Sequence, residues 1–333
     1  MYIRFERRPY VQSWHAVSGR REKEGPIGHL ISEYSIDDRF MKDTWEKSES
    51  EMQRLAFSGA LAKLERGKTV DCIFAGDLMN QCTSSSYGLS GFERPLIGLY
   101  GACSTCAQSI ALASLSVASG YAKNVGAVTS SHFCSAERQF RFPLEYGGQR
   151  TPTSQHTVTA SGAFIVGDEK SQVEVSEVLF GTVRDGGIKD INNMGAAMAP
   201  AAIDTLLSYF EKSGTRPSDF DLIVTGDLGY EGYSIVSELM AKRGMKLGEA
   251  YNDCGLIVFD RENQDMHAGG SGCGCSALVL GCKILPEIAS GKLKNVLFIG
   301  TGALMSPLTL QQGLTIPSVA HLVHFSASEK GKE

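Results

Sequence analysis

The chain has no excess of positive charge: 32 Lys and Arg against 37 Asp and Glu leave a formal charge of −5 over 333 residues. That balance provides no basic face of the kind that grips phosphate backbones, and it excludes nucleic acid as a principal partner. Long apolar runs are also missing, and the longest fall short of the ~20 residues that a bilayer-spanning helix needs. The opening residues, Met1-Tyr-Ile-Arg-Phe-Glu-Arg-Arg-Pro9, lack the apolar core of a signal peptide. The nine cysteines are odd in number and unevenly spaced, which argues against a disulfide scaffold and for a reducing compartment. No low-complexity linker divides the chain. Hydrophobic residues at 42% and charged residues at 21% describe a globular chain with a sizeable core. Its length predicts about two domains of ~150 residues.

Two pairs of segments repeat in the same order. Asp71-Cys-Ile-Phe-Ala-Gly-Asp-Leu78 matches Asp221-Leu-Ile-Val-Thr-Gly-Asp-Leu228 at Asp, Ile, Gly, Asp and Leu. Ala118-Ser-Gly-Tyr-Ala-Lys-Asn-Val125 likewise matches Ala289-Ser-Gly-Lys-Leu-Lys-Asn-Val296. Each half therefore carries an amphipathic helix (Arg54–Leu64 and Ala201–Glu211), then a short β-branched strand around Ile73 or Ile223. A helix opening in small residues follows (104–119 and 275–289), and then a second strand. Those later helices are apolar or small nearly all round, which predicts burial between two sheets. The expected architecture is a duplicated α/β chain, residues 1–170 and 171–333, sharing a central helical layer. An insertion around 130–150 belongs to the first half alone.

Three places can carry chemistry. Cys103, in Gly101-Ala-Cys-Ser-Thr-Cys106, stands at the mouth of a buried helix. The helix N-terminus lowers a thiol's pKa, which makes Cys103 a candidate nucleophile, while the plainer reading is a small apolar filler. The Cys103-x-x-Cys106 spacing lacks the surroundings of a redox motif. The loop His267-Ala-Gly-Gly-Ser-Gly-Cys273-Gly-Cys275 lets backbone approach a ligand closely, or serves tight helix packing. Together with Cys254 it does not have zinc-ribbon spacing, and no metal site is expected. The insertion holds His132, Arg138, Phe140, Arg141 and Arg150. Guanidinium groups grip carboxylates and stack on rings, so the segment suits a planar anion, and a salt-bridged surface loop is the alternative. His156, His321 and His324 read as structural.

With the duplication, the Gly-Ala-Cys103 helix start and the Gly-rich second helix start in place, the chain resembles the thiolase-like superfamily, above all ketoacyl-synthase III-type condensing enzymes. That resemblance implies a five-layered αβαβα fold and makes Cys103 the nucleophile position. It also implies a homodimer paired through the strand after the nucleophile helix, here Val125–Thr129. The family's catalytic His and Asn positions are occupied by Gly226, with Asp227 next to it, and by Gly270. Both groups normally polarise the thioester, and their loss points away from catalysis. If acyl transfer through Cys103 persists, His132 or His267 is the substitute base. Longer motifs narrow the resemblance: Tyr100-Gly-Ala-Cys-Ser-Thr105, Glu137-Arg-Gln-Phe-Arg141, Glu145-Tyr-Gly-Gly-Gln149, Met194-Gly-Ala-Ala-Met-Ala-Pro200, Thr225-Gly-Asp-Leu-Gly229 and Thr301-Gly-Ala-Leu304. From Pro9 to His321 they look like the stage V sporulation protein AD family of endospore formers.

This resemblance implies non-enzymatic binding of dipicolinic acid (pyridine-2,6-dicarboxylate) for its uptake into the developing spore. It places the protein peripherally at the spore inner membrane, beside integral membrane partners. The residues it assigns to the ligand are Cys103, His132, Arg138, Phe140, Arg141, Arg150, Asp227 and His267. No cofactor is implied. Calcium would enter as the ligand's own chelate, since the chain shows no calcium-loop pattern.

Overall fold

Side-chain alternation along the strands sorts the interior of the protein into three apolar layers, seen in a computed structural model that describes residues 1–140 and 150–328. The first half runs β1 (Tyr2–Arg4), β2 (Tyr10–Ser18), α1 (Arg20–Lys23), α2 (Trp45–Leu61), β3 (Cys72–Gly76) and α3 (Thr83–Leu89). It continues with β4 (Leu96–Gly98), α4 (Thr105–Ala118), β5 (Asn124–Ser131), α5 (Phe133–Phe140), β6 (His156–Thr157) and β7 (Ala160–Gly167). The second half runs β8 (Val173–Phe180), α6 (Met194–Ser213), β9 (Leu222–Thr225), α7 (Gly229–Lys242), β10 (Tyr251–Asp253) and α8 (Cys254–Val258). Then come β11 (Gly270–Ser271), α9 (Cys273–Val279), α10 (Leu285–Ala289), β12 (Asn295–Ala303), α11 (Pro307–Gln311) and β13 (Ser318–Ala327).

Read outward from the middle of the molecule, the strand order is β2-β7-β5-β3-β4 on one side and β8-β13-β12-β9-β10 on the other. The two orders correspond strand for strand, as a duplication requires. The half-sheets touch through one ladder pair, Tyr10 with Glu174. The N-terminal β1 is an exception to the division, because it pairs with β8 of the second half.

Successive strand residues face opposite sides of the sheet. In β7, Phe164 and Val166 face the central core with Ile110 and Val117 of α4, whereas Ala163 and Ile165 face Met52, Ala56 and Phe57 of α2. In β12, Val296 and Phe298 join the central core, while Leu297 and Ile299 face Leu206 and Tyr209 of α6. Three apolar cores separated by two sheets give the expected five layers, with α4 and α9 in the middle one.

Local details differ from the sequence reading. Helix α2 begins at Trp45, nine residues before Arg54, with Thr44 capping it through the Lys47 N–H. Its early turns bury Ser48, Glu49 and Gln53, polar residues that hide the helix from an apolar-face pattern. The second central helix is not continuous: α9 passes through a π-helical turn at Leu280–Ile284 before α10. The insertion, read as a loop, begins with α5. The strand expected at Val125–Thr129 lies within β5, which is hydrogen-bonded by β3 on one side and β7 on the other. A two-fold pairing through Val125–Thr129 is therefore excluded, since β5 has no free edge. The open edge of the first half is β4. Among the described residues no helix is long and apolar enough to cross a membrane.

Candidate functional site

The duplicated Gly-Asp pairs follow β3 and β9, and the space between these strand ends is the candidate site. Cys103 is presented there by a tight elbow ahead of α4. Ala102 adopts φ 49°, a left-handed conformation that costs energy in a residue with a Cβ. Hydrogen bonds hold the elbow: Ser104 Oγ donates to the Gly101 carbonyl at 2.6 Å, and the Thr105 hydroxyl donates to the Ala102 carbonyl at 2.7 Å. The second half presses close behind, where a Cβ on Gly302 would lie 2.2 Å from the Gly101 oxygen.

Asp227 is fully buried beside Cys103. Its Oδ1 accepts from the Thr301 hydroxyl (2.8 Å), and its Oδ2 accepts from the Gly272 N–H (2.8 Å) and the Ser271 hydroxyl (3.2 Å). The Cys103 thiol faces the same carboxyl and feels its charge. Burial pushes the Asp227 carboxyl above its ordinary range despite these donors. The Cys103 thiol is pushed well up, first by burial and then by the charge and hydrogen bond of Asp227. This direction is opposite to the lowering that a helix N-terminus alone would give, because the loss of water and the neighbouring carboxyl outweigh a partial dipole charge.

Above this pair opens a pocket of about 80 Å³. Leu78, Ala102, Cys103, Ala136, Phe140, Ile191, Met194, Met198, Ala303 and Met305 make most of its wall; Glu137, Gln155, Thr157 and Ser271 are its polar members. Helix periodicity decides which α5 residues take part: 136, 137 and 140 share a face, and 138 falls on another. Met194 and Met198 are likewise one turn apart on α6. These methionines, with Thr157 and Ser271, were missed as site residues by sequence reasoning. Their signal lies in the i, i+4 spacing of Met194 and Met198 and in the short parallel pair β6–β11 that brings Thr157 beside Ser271.

Of the residues assigned from the sequence, Cys103 and Phe140 line the pocket, and Asp227 stands behind Cys103 and Ser271. The others described lie elsewhere. His132 packs its ring on Trp45, its Nε2 meets the Asp38 carbonyl at 2.9 Å, and its Nδ1 accepts the Cys134 N–H at 3.1 Å. An accepting Nδ1 is a neutral imidazole, in keeping with the lowering of its pKa by burial. Arg138 is half exposed and paired with Glu46. Arg150 pairs with Asp265 at 3.1 Å, and His267 bonds both Asp265 (3.1 Å) and the Thr151 carbonyl (2.6 Å). Arg141 lies outside the described residues.

The two glycines at the condensing-enzyme positions differ in the space around them. Gly226 follows β9, and a Cβ there would sit tightly, 3.3 Å from Gly300 and Thr301 backbone atoms. At Gly270 a Cβ would lie 2.6 Å from Val258 Cγ1, 3.1 Å from Val158 Cγ2 and 3.2 Å from Cys275 Sγ. A second buried network mirrors the first across the duplication. Asp77, the counterpart of Asp227, accepts the Ser85 N–H (2.8 Å) and hydroxyl (2.6 Å), and Glu49 accepts the hydroxyls of Ser130 (2.9 Å) and Ser135 (2.6 Å). Burial and the Asp77 charge push Glu49 up to about 8.

Five layers, with a cysteine elbow at the head of a central helix, define a thiolase-like fold. Solved structures agree. A 3-oxoacyl-[acyl-carrier-protein] synthase III from Aquifex aeolicus VF5 matches at 13% identity and TM-score 0.57, over 96% of this chain and 99% of that one. An OleA variant from Xanthomonas campestris matches at 12% identity and TM-score 0.62, over 97% and 99%. Such identities establish the fold alone. The sequence goes further. Residues 1–326 match the family Stage V sporulation protein AD (SpoVAD), and the chain is 40% identical over 322 residues to Stage V sporulation protein AD of Bacillus subtilis (strain 168), spanning 96% of this chain and 95% of that protein. The chain belongs to the stage V sporulation protein AD family and is a sporulation protein.

Proposed function

We propose that the protein binds dipicolinate in the pocket above Cys103 and serves its uptake into the developing spore without transforming it. The observation that carries this reading is the Cys103 thiol set against the fully buried Asp227 carboxyl. Thioester chemistry needs a thiolate with donors aimed at a developing oxyanion. Here the thiol is held protonated by a carboxylate, and glycines stand at the two positions where the condensing enzymes carry His and Asn. What remains is a binding site. Phe140, Ile191, Met194 and Met198 offer apolar surface to a flat ring, and Gln155, Thr157 and Ser271 offer polar contacts to its substituents. The ligand arrives as the free acid anion or as its calcium chelate. The protein acts peripherally at the spore inner membrane, beside integral membrane partners. It pairs as a homodimer along β4, whose Leu96 and Ile97 are exposed at an unpaired sheet edge. Calorimetric titration of the purified protein with dipicolinate tests the reading; saturable binding is expected, and none at any accessible concentration would overturn it.

A second reading is favoured by the strained elbow at Ala102, which displays Cys103 to the pocket as a nucleophile would require. On that reading Cys103 takes an acyl group from acyl-CoA. Incubation with acyl-CoA followed by intact-mass measurement separates the two, with no mass increase expected.

A further inference from the structure

Asp227 lies behind the pocket floor, and its hydrogen bonds fix which way the floor's protons point. One of its three donors, the Ser271 hydroxyl, also lines the pocket. That hydroxyl owns a single proton. While Asp227 is ionised, the proton points at it, and Ser271 turns acceptor lone pairs to the ligand. The remaining two donors, Thr301 Oγ1 and the Gly272 N–H, complete the set, so no guanidinium or ammonium group is needed to fill the carboxylate's lone pairs.

Among the described residues, nothing that faces Asp227 from the packed elements reverses this polarity. From β10 comes Asp253, itself a buried carboxyl that accepts from Thr225 (2.7 Å), Leu228 N–H (2.8 Å) and Gly229 N–H (3.0 Å). From α8 and α9 come the thiols of Cys254 and Cys275, each pushed up by burial and by these charges. Among the described residues, Asp227 has no Lys or Arg partner. Across the pocket, α5 contributes Glu137. At this floor a carboxylate ligand meets the acceptor side of Ser271 and the like charge of an ionised Asp227.

We infer that Asp227 is a specificity-determining residue through which the pocket takes up its carboxylate ligand together with one proton. The inference rests on the dipicolinate reading and adds a protonation state to it. A dianion, one proton from water and the protein combine to give the complex. Once Asp227 is neutral, the Ser271 hydroxyl is released to donate to the ligand's carboxylate, and the like-charge contact disappears. The raised Asp227 carboxyl makes that proton easier to accept.

The test is dipicolinate titration at pH 6, 7 and 8, in pairs of buffers with different ionisation heats. The expected result is about one proton taken up per ligand, with Kd weakening up to tenfold per pH unit as both partners become fully ionised. In Asp227→Asn, a neutral isostere, binding persists, Kd flattens with pH and proton uptake falls toward zero. Glu137→Gln keeps the uptake and thereby assigns the proton away from the pocket mouth. The wild-type proton count decides alone should the Asp227 variant fail to fold. A flat Kd with no proton uptake in the wild type, or undiminished uptake in Asp227→Asn, overturns the inference. Absence of binding at every pH overturns the dipicolinate reading itself.

Discussion

Asp71 and Asp221 make the same contact in the two halves of the chain. Asp71 Oδ2 accepts the backbone N–H groups of Lys123 (2.6 Å) and Asn124 (3.2 Å), and Asp221 Oδ2 accepts those of Lys294 (2.6 Å) and Asn295 (2.9 Å). Each carboxylate ties the start of one parallel strand to the start of its neighbour. The repeated Lys-Asn in the sequence is the other end of that tie. Asp71→Ala and Asp221→Ala are each expected to lower stability by about 1–2 kcal/mol, the usual cost of removing a charge-assisted acceptor from two backbone donors. Urea unfolding of the two variants measures it, and a loss confined to one of them would count against equivalent roles.

Cys103 is expected to alkylate no faster than the half-buried Cys72 and Cys134 at pH 8, because its thiol is held protonated beside Asp227. Iodoacetamide labelling with peptide mass mapping reads the order. Cys103→Ser should leave dipicolinate affinity within a few-fold, and Cys103→Trp should abolish it by filling the pocket. Selective, rapid labelling of Cys103 would restore the nucleophile reading.

Phe140 and Arg138 are two residues apart on α5 and should behave oppositely. Phe140→Ala removes an aromatic wall of the pocket and should weaken dipicolinate binding about tenfold. Arg138→Ala breaks only an exposed pair with Glu46 and should change Kd by less than about twofold. Arg141→Ala is expected to cost on the order of 2 kcal/mol of binding, the usual effect of truncating a charged side chain that pairs with a ligand carboxylate. Titration of the three folded variants settles the ranking; an unchanged Kd for Arg141→Ala moves the ligand away from that side chain.

Glu49 enters the fold carrying its proton. With its carboxyl pushed up to about 8 against ~4.3 in an unfolded chain, the folded state binds more protons between those values. Its contribution to stability is therefore complete below pH ~4.3 and is lost as pH rises toward 8, by up to ~1.4 kcal/mol per unit. Glu49→Gln removes this dependence. Stability against urea should fall less steeply from pH 5 to 8 in the variant than in the wild type, and parallel curves would show that Glu49 ionises freely.

The dimer edge can be tested at Ile97, which is partly exposed on β4. Ile97→Glu should shift sedimentation from dimer to monomer without loss of fold, since a charge on a pairing edge blocks a second strand. A wild type that stays monomeric at all concentrations removes the dimer.

The fold was legible because its signals are periodic or repeated: the Gly-Asp strand ends, the Lys-Asn turns and two helices without a polar face. The site was legible only in part. Cys103 announced itself through Gly101 and the following small residues, and Asp227 through the repeat. Phe140 could be named, but its separation from Arg138 depends on a helical register within a segment that reads as a loop. His132, Arg150 and His267 carry the right chemistry for an anion, yet Trp45, Thr151 and Asp265 hold them elsewhere. Sequence gives functional groups without their partners, and the partners decide where a side chain points.

Gly270 carries a consequence for stability. A Cβ at that position would sit 2.6 Å from Val258 Cγ1, so an asparagine there requires Val258 to shift or to be trimmed. Val258 is itself wholly buried in the central core, and trimming it opens a void that typically costs ~1 kcal/mol or more. Gly226, whose nearest contacts stand at 3.3 Å, imposes a milder demand. Restoring a side chain at Gly270 therefore draws on the stability of the central core itself, since the group that must yield is part of its packing.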